Sequence, residues 1–187
     1  MSVKYNVSKI LAELTDNQKY LKDEQLENLV NAILQANHIF TAGMGRSGVS
    51  IRAFTNRLMH LGFEVSSIGE ISAPHSQPED IVIIASGSGE TESLVALAQK
   101  AKNSGVKIAL ITMDAESKIA KLADVVVILP GVSPKLKNKG INVTSIQPMG
   151  SAFEQMVFLV CDGIILELME RTNQTSEEMF TRHADLE

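Results

Sequence analysis

Ile81-Val82-Ile83-Ile84-Ala85-Ser86-Gly87-Ser88-Gly89-Glu90-Thr91 passes from an apolar run into a loop of hydroxyls and glycines. The run before Ser86 is apolar at consecutive positions, which is typical of a parallel strand that helices cover on both faces. The stretch after the loop, 91–104, has the apolar spacing of a helix. A buried strand that leads through a short loop into a helix indicates an α/β fold with a parallel sheet.

The same alternation of strands and helices continues on both sides of this unit. Short β-rich runs lie at 38–42, 64–68, 80–85, 107–112 and 124–129, and helical stretches follow at 47–61, 91–104 and 117–122. Two helices precede them within the first 37 residues, a long apolar helix covers about 150–171, and a final helix begins at a capping box at Thr175. Loops fill 69–79 and 130–148. This order predicts a three-layer α/β sandwich with right-handed crossovers.

The composition excludes several functional classes. The 187 residues carry 17 Lys and Arg against 22 Asp and Glu, for a net charge of −5, and they lack the basic stripe of a nucleic-acid binder. The chain shows neither the apolar core of a signal peptide nor an apolar run that could cross a membrane. The lone Cys161 favours a reducing compartment. We therefore expect one domain over 1–187, in the cytoplasm, with neither nucleic acid nor a membrane as partner.

The loop Ser86-Gly87-Ser88-Gly89-Glu90-Thr91 is the strongest candidate for a phosphate site. Its hydroxyls and glycines precede a helix, and a helix N-terminus presents free N–H groups to an anion. The simpler alternative is a Ser/Thr helix cap with a flexible turn, for which one hydroxyl suffices. A Walker loop is excluded because no Gly-Lys-Ser/Thr follows.

A second glycine-rich loop, Gly43-Met44-Gly45-Arg46-Ser47-Gly48, joins the first strand to its helix. Glycines allow close approach of an anion, while Arg46 adds a charge and Ser47 a hydroxyl. One alternative is a tight turn that needs small residues. Another is a dinucleotide site, because the loop fits G-x-G-x-x-G and Glu70 follows at the distance of an acidic ribose ligand.

Glu154 lies in the first turn of the long apolar helix, after Gln147-Pro148-Met149-Gly150. A carboxylate at this place can simply complement the helix dipole. Alternatively, it can act as a general base that Phe153 and Met156 partly desolvate. The four histidines show no ligand spacing, so we expect no metal site and no cofactor. The helix is too apolar to face water all round, and Met156, Phe158, Leu159 and Ile165 are candidates for a subunit interface.

Taken together, these motifs resemble the sugar isomerase (SIS) domain family over essentially the whole chain. Ser86–Thr91 marks the broad family. The stretch 147–155 and the ending 183–187 are similar to the branch of the 6-phospho-3-hexuloisomerases. The resemblance implies a flavodoxin-like SIS fold with a five-stranded parallel sheet, and oligomers, commonly tetramers, with sites near subunit boundaries.

The resemblance also implies roles for particular residues. The phosphate site would be Ser86, Gly87, Ser88, Gly89, Glu90 and Thr91, and the sugar would be lined by Gly45, Arg46 and Ser47. Glu154 would accept the proton, and His183 would approach the site from a neighbouring subunit. The chemistry of such a reaction further suggests that Arg46, or a backbone N–H, would stabilise the enediolate oxygen.

The implied reaction interconverts D-arabino-hex-3-ulose 6-phosphate and D-fructose 6-phosphate, in formaldehyde fixation by the ribulose monophosphate pathway. Isomerisation of another sugar phosphate and a non-catalytic sugar-phosphate-binding module remain as alternatives. The phosphate loop would serve all of them, whereas only an enzyme needs a base at Glu154.

Overall fold

The computed structural model describes residues 2–136, 140–141 and 143–186. The predicted loop over 130–148 therefore lies partly outside the described residues. The described elements, in chain order, are α1 (Val3–Asn17), a 3₁₀ turn (Gln18–Tyr20), α2 (Asp23–Gln35), β1 (Ile39–Gly43), α3 (Gly45–His60), β2 (Val65–Ser67), β3 (Ile81–Ala85), α4 (Glu92–Asn103), β4 (Lys107–Thr112), β5 (Val125–Ile128), α5 (Ser151–Arg171) and α6 (Ser176–Phe180).

The five strands form one parallel sheet in the order β2-β1-β3-β4-β5. This confirms the predicted parallel α/β sheet, with strand bounds shifted by no more than a few residues. The pairing aligns the carboxyl ends of the three central strands, since Gly43 lies opposite Ala85 and Ala85 lies opposite Ile111. The loops that follow β1, β3 and β4 therefore begin at the same edge of the sheet.

Helices cover the sheet on both faces, which produces the predicted three layers. Ile81, Ile83 and Ala85 belong to a core shared with α2, α3 and α5, whereas Val82 and Ile84 belong to a second core beneath α4. All five residues of β3 are buried. Consecutive apolar residues were the sequence signal of such a strand, and the structure confirms it.

The stretch 117–122, predicted to be a helix, is a series of turns instead. The N–H of Ile119 bonds the carbonyl of Gly89 at 3.2 Å, and the Ile119 side chain is fully buried under the sheet. The N–H of Leu122 then bonds the carbonyl of Ile119, three residues back, so consecutive helical hydrogen bonds do not form. The helical prediction was wrong because the segment is too short to sustain a helix.

The predicted capping box at the start of α6 is present. The hydroxyl of Thr175 accepts from the N–H of Glu178 at 3.2 Å, and the Glu178 carboxylate accepts from the N–H of Thr175 at 2.7 Å.

No helix among the described residues is long and apolar enough to cross a membrane.

Candidate active site

A cleft of about 360 Å³ opens at the carboxyl edge of the sheet, where ligands bind in parallel α/β folds. Helices α3, α4 and α5 all begin beside it, and each N-terminus carries partial positive charge. The lining residues are Met44, Gly45, Arg46, Ser47, Ala85, Ser86, Gly87, Ser88, Thr91, Leu94, Met113, Ser133, Lys135, Met149, Gly150, Phe153 and Glu154. The cleft therefore combines three helix N-termini, whose partial charge favours anions, with one carboxylate and two cations.

The loop after β3 is held in shape by its own side chains and by β4. The N–H of Gly89 bonds Oγ of the buried Ser86 at 3.2 Å, and the N–H of Glu90 bonds Oγ of Ser88 at 3.3 Å. The carbonyl of Gly87 accepts from the N–H of Met113 at 3.0 Å and from the Thr112 hydroxyl at 3.2 Å. These hydrogen bonds hold the backbone of the loop in one conformation.

Gly89 has a structural reason to be glycine. Its φ is +60°, and a Cβ built on it would lie 2.0 Å from Oγ of Ser117. A side chain would thus meet both backbone strain and the turn segment that packs behind the loop. Gly89 supports the loop from behind and does not itself line the cleft.

Thr91 occupies the N-cap position of α4, but its hydroxyl makes no capping hydrogen bond. Among the described residues, none accepts from the backbone N–H groups of Ser88, Thr91, Glu92 and Ser93. The cap alternative therefore does not account for the Thr91 hydroxyl. Free donors at a helix start suit the oxygens of a phosphate group.

Two glycines of the predicted glycine-rich loop, Gly43 at the end of β1 and Gly48 in the first turn of α3, serve packing between the strand and the helix. A Cβ on Gly48 would lie 2.6 Å from the carbonyl oxygen of Gly43, and one on Gly43 would lie 2.9 Å from Cα of Gly48. The tight-turn alternative thus explains this pair. It does not explain Gly45, Arg46 and Ser47, which line the cleft at the start of α3. The exposed Glu70 of the dinucleotide alternative is not among the lining residues.

Arg46 and Glu154 form an ion pair within the cleft. Nε of Arg46 donates to Oε2 of Glu154 at 2.5 Å. The Arg46 side chain is 68% exposed, whereas that of Glu154 is 16% exposed. The carboxylate is thus partly shielded from water, whereas the exposed guanidinium of Arg46 has room to change its position.

The backbone around Glu154 is tied to α3. The hydroxyl of Ser50 donates to the carbonyl of Glu154 at 3.0 Å, and Ser50 is itself buried. The N–H of Glu154 bonds the carbonyl of Gly150, whose φ of +81° turns the chain into α5. The carboxylate therefore has a fixed place relative to the first turn of α3, which carries Arg46.

Lys135 was missed by the sequence analysis, which attached no role to the loop after β5. It lines the cleft together with Ser133, although it lies 44 positions beyond Thr91 (135 minus 91). Its neighbourhood contains no motif with a known spacing. Only the folded chain, in which Ser133 and Lys135 line the cleft, reveals it.

Besides Gly89, two predicted site residues do not line the cleft within one chain. Glu90 lines a smaller adjoining cavity, where its carboxylate pairs with Nζ of Lys118 at 2.9 Å. His183 stacks on His60, with ring centroids 5.3 Å apart, in a separate cavity bounded by α3, α5 and α6. Its predicted approach to the site of a neighbouring subunit stays a prediction.

The remaining candidate groups show no chemistry of their own. Cys161 is buried, and desolvation raises the pKa of its thiol far above the ordinary value, which makes it inert. Among the described residues, no group of three or more His, Cys, Asp or Glu side chains is arranged to hold a metal ion.

Comparisons with known proteins show the family of this chain. The family model of the SIS domain matches residues 32–159. A 3-hexulose-6-phosphate isomerase of Bacillus subtilis is 47% identical over 181 residues, 97% of each chain. One of Mycobacterium gastri is 38% identical over 97% of this chain and 90% of its own.

A solved structure shares the fold as well as the sequence similarity. It is a hypothetical protein of Methanococcus jannaschii for which a molecular function of 3-hexulose-6-phosphate isomerase has been inferred. It superposes with a TM-score of 0.82 at 34% identity, over 95% of this chain and 98% of its own.

Proposed function

This chain belongs to the SIS domain family and is a sugar-phosphate isomerase, and we propose that it interconverts D-arabino-hex-3-ulose 6-phosphate and D-fructose 6-phosphate. The observation that carries the proposal is the Arg46–Glu154 pair, which stands in the same cleft as the Ser86–Thr91 loop. Both relatives named above are called 3-hexulose-6-phosphate isomerases. Each aligns with this chain over at least 90% of its own length.

The phosphate group binds at the start of α4 in this proposal. Ser86, Gly87, Ser88 and Thr91 line the cleft there, and the free N–H groups and the helix dipole favour an anion. Gly89 shapes the loop. The phosphate holds the distant carbons of the sugar in one orientation, which lowers the entropic cost of reaching the transition state.

Glu154 then moves the proton. Its carboxylate takes the proton from C2 of the hex-3-ulose, and the electron pair of that C–H bond forms a double bond to C3 as the C3 carbonyl oxygen becomes negative. In the resulting enediolate, the proton of the C2 hydroxyl passes to the C3 oxygen, which leaves the negative charge on the C2 oxygen. Glu154 then returns its proton to C3, and the C2 oxygen becomes the carbonyl oxygen. No net redox change occurs, and one carboxylate serves both steps because the two carbons are adjacent.

Arg46 stabilises the charge that develops on the enediolate oxygen. Its guanidinium already lies beside Glu154, and its exposed side chain has room to move toward the bound sugar. Gly45 and Ser47 add the first N–H groups of α3 to the same side of the cleft. The proposal uses no cofactor and no metal ion.

The wider setting is part of the same proposal. A single domain of this kind would act in the cytoplasm, in formaldehyde fixation by the ribulose monophosphate pathway. We propose that it assembles as a homotetramer through α1 and α5, where Leu11, Phe158, Leu159 and Leu166 are all exposed. Two candidates for that interface, Met156 and Ile165, are instead buried within the chain itself. In the assembly, His183 would reach a neighbouring site.

The alternatives share the phosphate loop but differ in their need for a base. An isomerase of another sugar phosphate keeps Glu154 and differs in how the cleft fits the sugar. A sugar-phosphate sensor needs no carboxylate among the reacting carbons. The placement of Glu154 beside Arg46 and inside the cleft favours an enzyme over a sensor.

A coupled assay tests the proposal. A separate synthase makes hex-3-ulose 6-phosphate from formaldehyde and ribulose 5-phosphate, and fructose 6-phosphate is read through its conversion to an NADPH signal. We expect a signal that depends on this protein and persists in the presence of a chelator. With the coupling enzymes shown to work, the absence of signal would overturn the substrate assignment.

A further inference from the structure

Lys135 is a cation in the cleft that the reaction described above does not use. Its side chain makes no hydrogen bond or ion pair within the described part of the chain, while its backbone N–H bonds Oγ of Ser133 at 3.3 Å. Arg46, the other cation of the lining, is paired with Glu154. Lys135 is thus the cation available for a ligand among the described lining residues.

The backbone that carries Lys135 is anchored on both sides. Leu136 is 4% exposed and belongs to the core shared with α5, and its N–H bonds the carbonyl of Ser133 at 3.0 Å. Upstream, the carbonyl of Val132 accepts from the N–H of Gly150 at 2.9 Å. These contacts hold the Lys135 stem at the cleft and leave its charged end exposed.

The position of Lys135 relates it to the phosphate loop and separates it from the reacting carbons. It lines the cleft and also a smaller cavity of about 140 Å³, which Ser88 and Thr91 line as well. Arg46 and Glu154 do not line that smaller cavity. Lys135 therefore stands on the phosphate side of the site.

The charges of the site point in the same direction. A phosphate monoester carries about −1.5 to −2 charge at neutral pH. The hydroxyls and backbone donors of the loop after β3 carry no full charge, and Arg46 and Glu154 offset each other. Two carboxylates also line the smaller cavity: Glu90 pairs with Lys118, and Oδ1 of Asp114 accepts from the backbone N–H of Glu116, which orients this carboxylate without offsetting its charge. Their negative charge adds to the need for a cation beside a bound phosphate.

We propose that Lys135 is a substrate-binding residue that supplies the full positive charge for the phosphate group held by Ser88 and Thr91. The inference rests on the proposed function for the identity of the sugar but not for the phosphate itself. In this proposal, the phosphate site is lined by the loop after β5 as well as by the loop after β3 and the start of α4.

The test compares Lys135→Gln with the unaltered protein in turnover and in calorimetric titration with inorganic phosphate. We expect the KM and the Kd for phosphate to rise about tenfold, as befits one lost charge-assisted contact, with kcat changed less than about twofold. Raising the ionic strength should weaken phosphate binding less in the variant than in the unaltered protein. Lys135→Arg should restore most of the affinity.

Lys100→Gln is the matched control, because Lys100 lies in the last turn of α4, at the end remote from the cleft. It removes the same charge and should leave KM and phosphate affinity unchanged. Unchanged values in Lys135→Gln, or a loss confined to kcat, would overturn the proposal. The phosphate titration decides the role of Lys135 even where the coupled assay shows no turnover, so the two proposals fail separately.

Discussion

Arg46 in the first turn of α3 and Glu154 in the first turn of α5 are ion-paired at 2.5 Å, although 108 positions separate them. The two helices pack on the same face of the sheet, and the hydroxyl of Ser50 ties α3 to the carbonyl of Glu154. The pair therefore rests on a rigid helix contact. It places a carboxylate and a cation together in the cleft, where the proposed reaction needs a base and an electrophile.

Glu154→Gln should remove most turnover and preserve phosphate binding. The amide keeps the shape of the side chain but cannot accept the proton, and general acid–base contributions are typically about 10²–10⁴-fold. The measurement is kcat in the coupled assay together with calorimetric titration of phosphate. Glu170→Gln, at the exposed far end of the same helix, is the control and should behave as the unaltered protein. Near-normal turnover in Glu154→Gln would remove this residue as the base.

Arg46→Gln should lower kcat by about 10²-fold, as the loss of one donor to a developing oxyanion does. The melting temperature should change little, because an ion pair with a side chain 68% exposed stabilises a fold by no more than about 1 kcal/mol. Arg46→Lys should recover part of the rate. A large fall in stability with kcat unchanged would mean that Arg46 only braces α3 against α5.

The sequence was sufficient for the parts of the site that follow strands directly. Ser86 and Gly45 could be located because apolar runs predict the strands, and parallel strands bring their carboxyl ends to one edge. The pairing of Gly43 with Ala85 shows that this inference was sound. Glu154 was a candidate because of its place at a helix start, and it lines the cleft, while its role as a base stays a prediction.

The remaining parts depend on tertiary contacts that no local pattern encodes. The position of Lys135 is set by the burial of Leu136 against α5 and by the bond between Val132 and Gly150. The bond between Ile119 and Gly89, which attaches the turns at 117–122 to the loop after β3, is a contact of the same kind. Neither relation has a fixed spacing in the sequence, so periodicity could not find it.

Ser88→Ala should raise KM with little change in kcat. The substitution removes a hydroxyl that lines both cavities and that accepts from the N–H of Glu90 at 3.3 Å. A contact made equally in the ground state and the transition state affects KM alone. Steady-state kinetics and phosphate titration measure the effect, and Ser104→Ala at the C-terminal end of α4 is the control. An unchanged KM would place the phosphate elsewhere.

Gly89→Ala should destabilise the protein and weaken phosphate binding together. A Cβ at this position conflicts with Oγ of Ser117 and with the φ of +60°, and a cost of about 3 kcal/mol is expected. At this chain length that corresponds to a fall in melting temperature of roughly 6–12 °C. Gly163→Ala is the contrast, because nothing lies within 4 Å of its Cβ position in α5. Equal melting temperatures in the two variants would contradict this account of Gly89.

His60 should make stability depend on pH below neutrality. It is buried on α3, and desolvation, then the charges of Arg57 and His183, lower its pKa below the ordinary value of 6.5. The unfolded chain therefore binds a proton more readily than the folded chain between the folded pKa and 6.5. As the pH falls through that window the free energy of unfolding decreases, by at most about 1.4 kcal/mol per pH unit for one proton.

His60→Gln should flatten that dependence, because the glutamine has no proton to gain. Denaturant unfolding at a series of pH values from neutral downward measures it, with the free energy of unfolding as the readout. His75→Gln is the control, since His75 is exposed in the loop before β3 and its replacement should keep the slope. A slope in His60→Gln equal to that of the unaltered protein would assign the acid sensitivity to other groups.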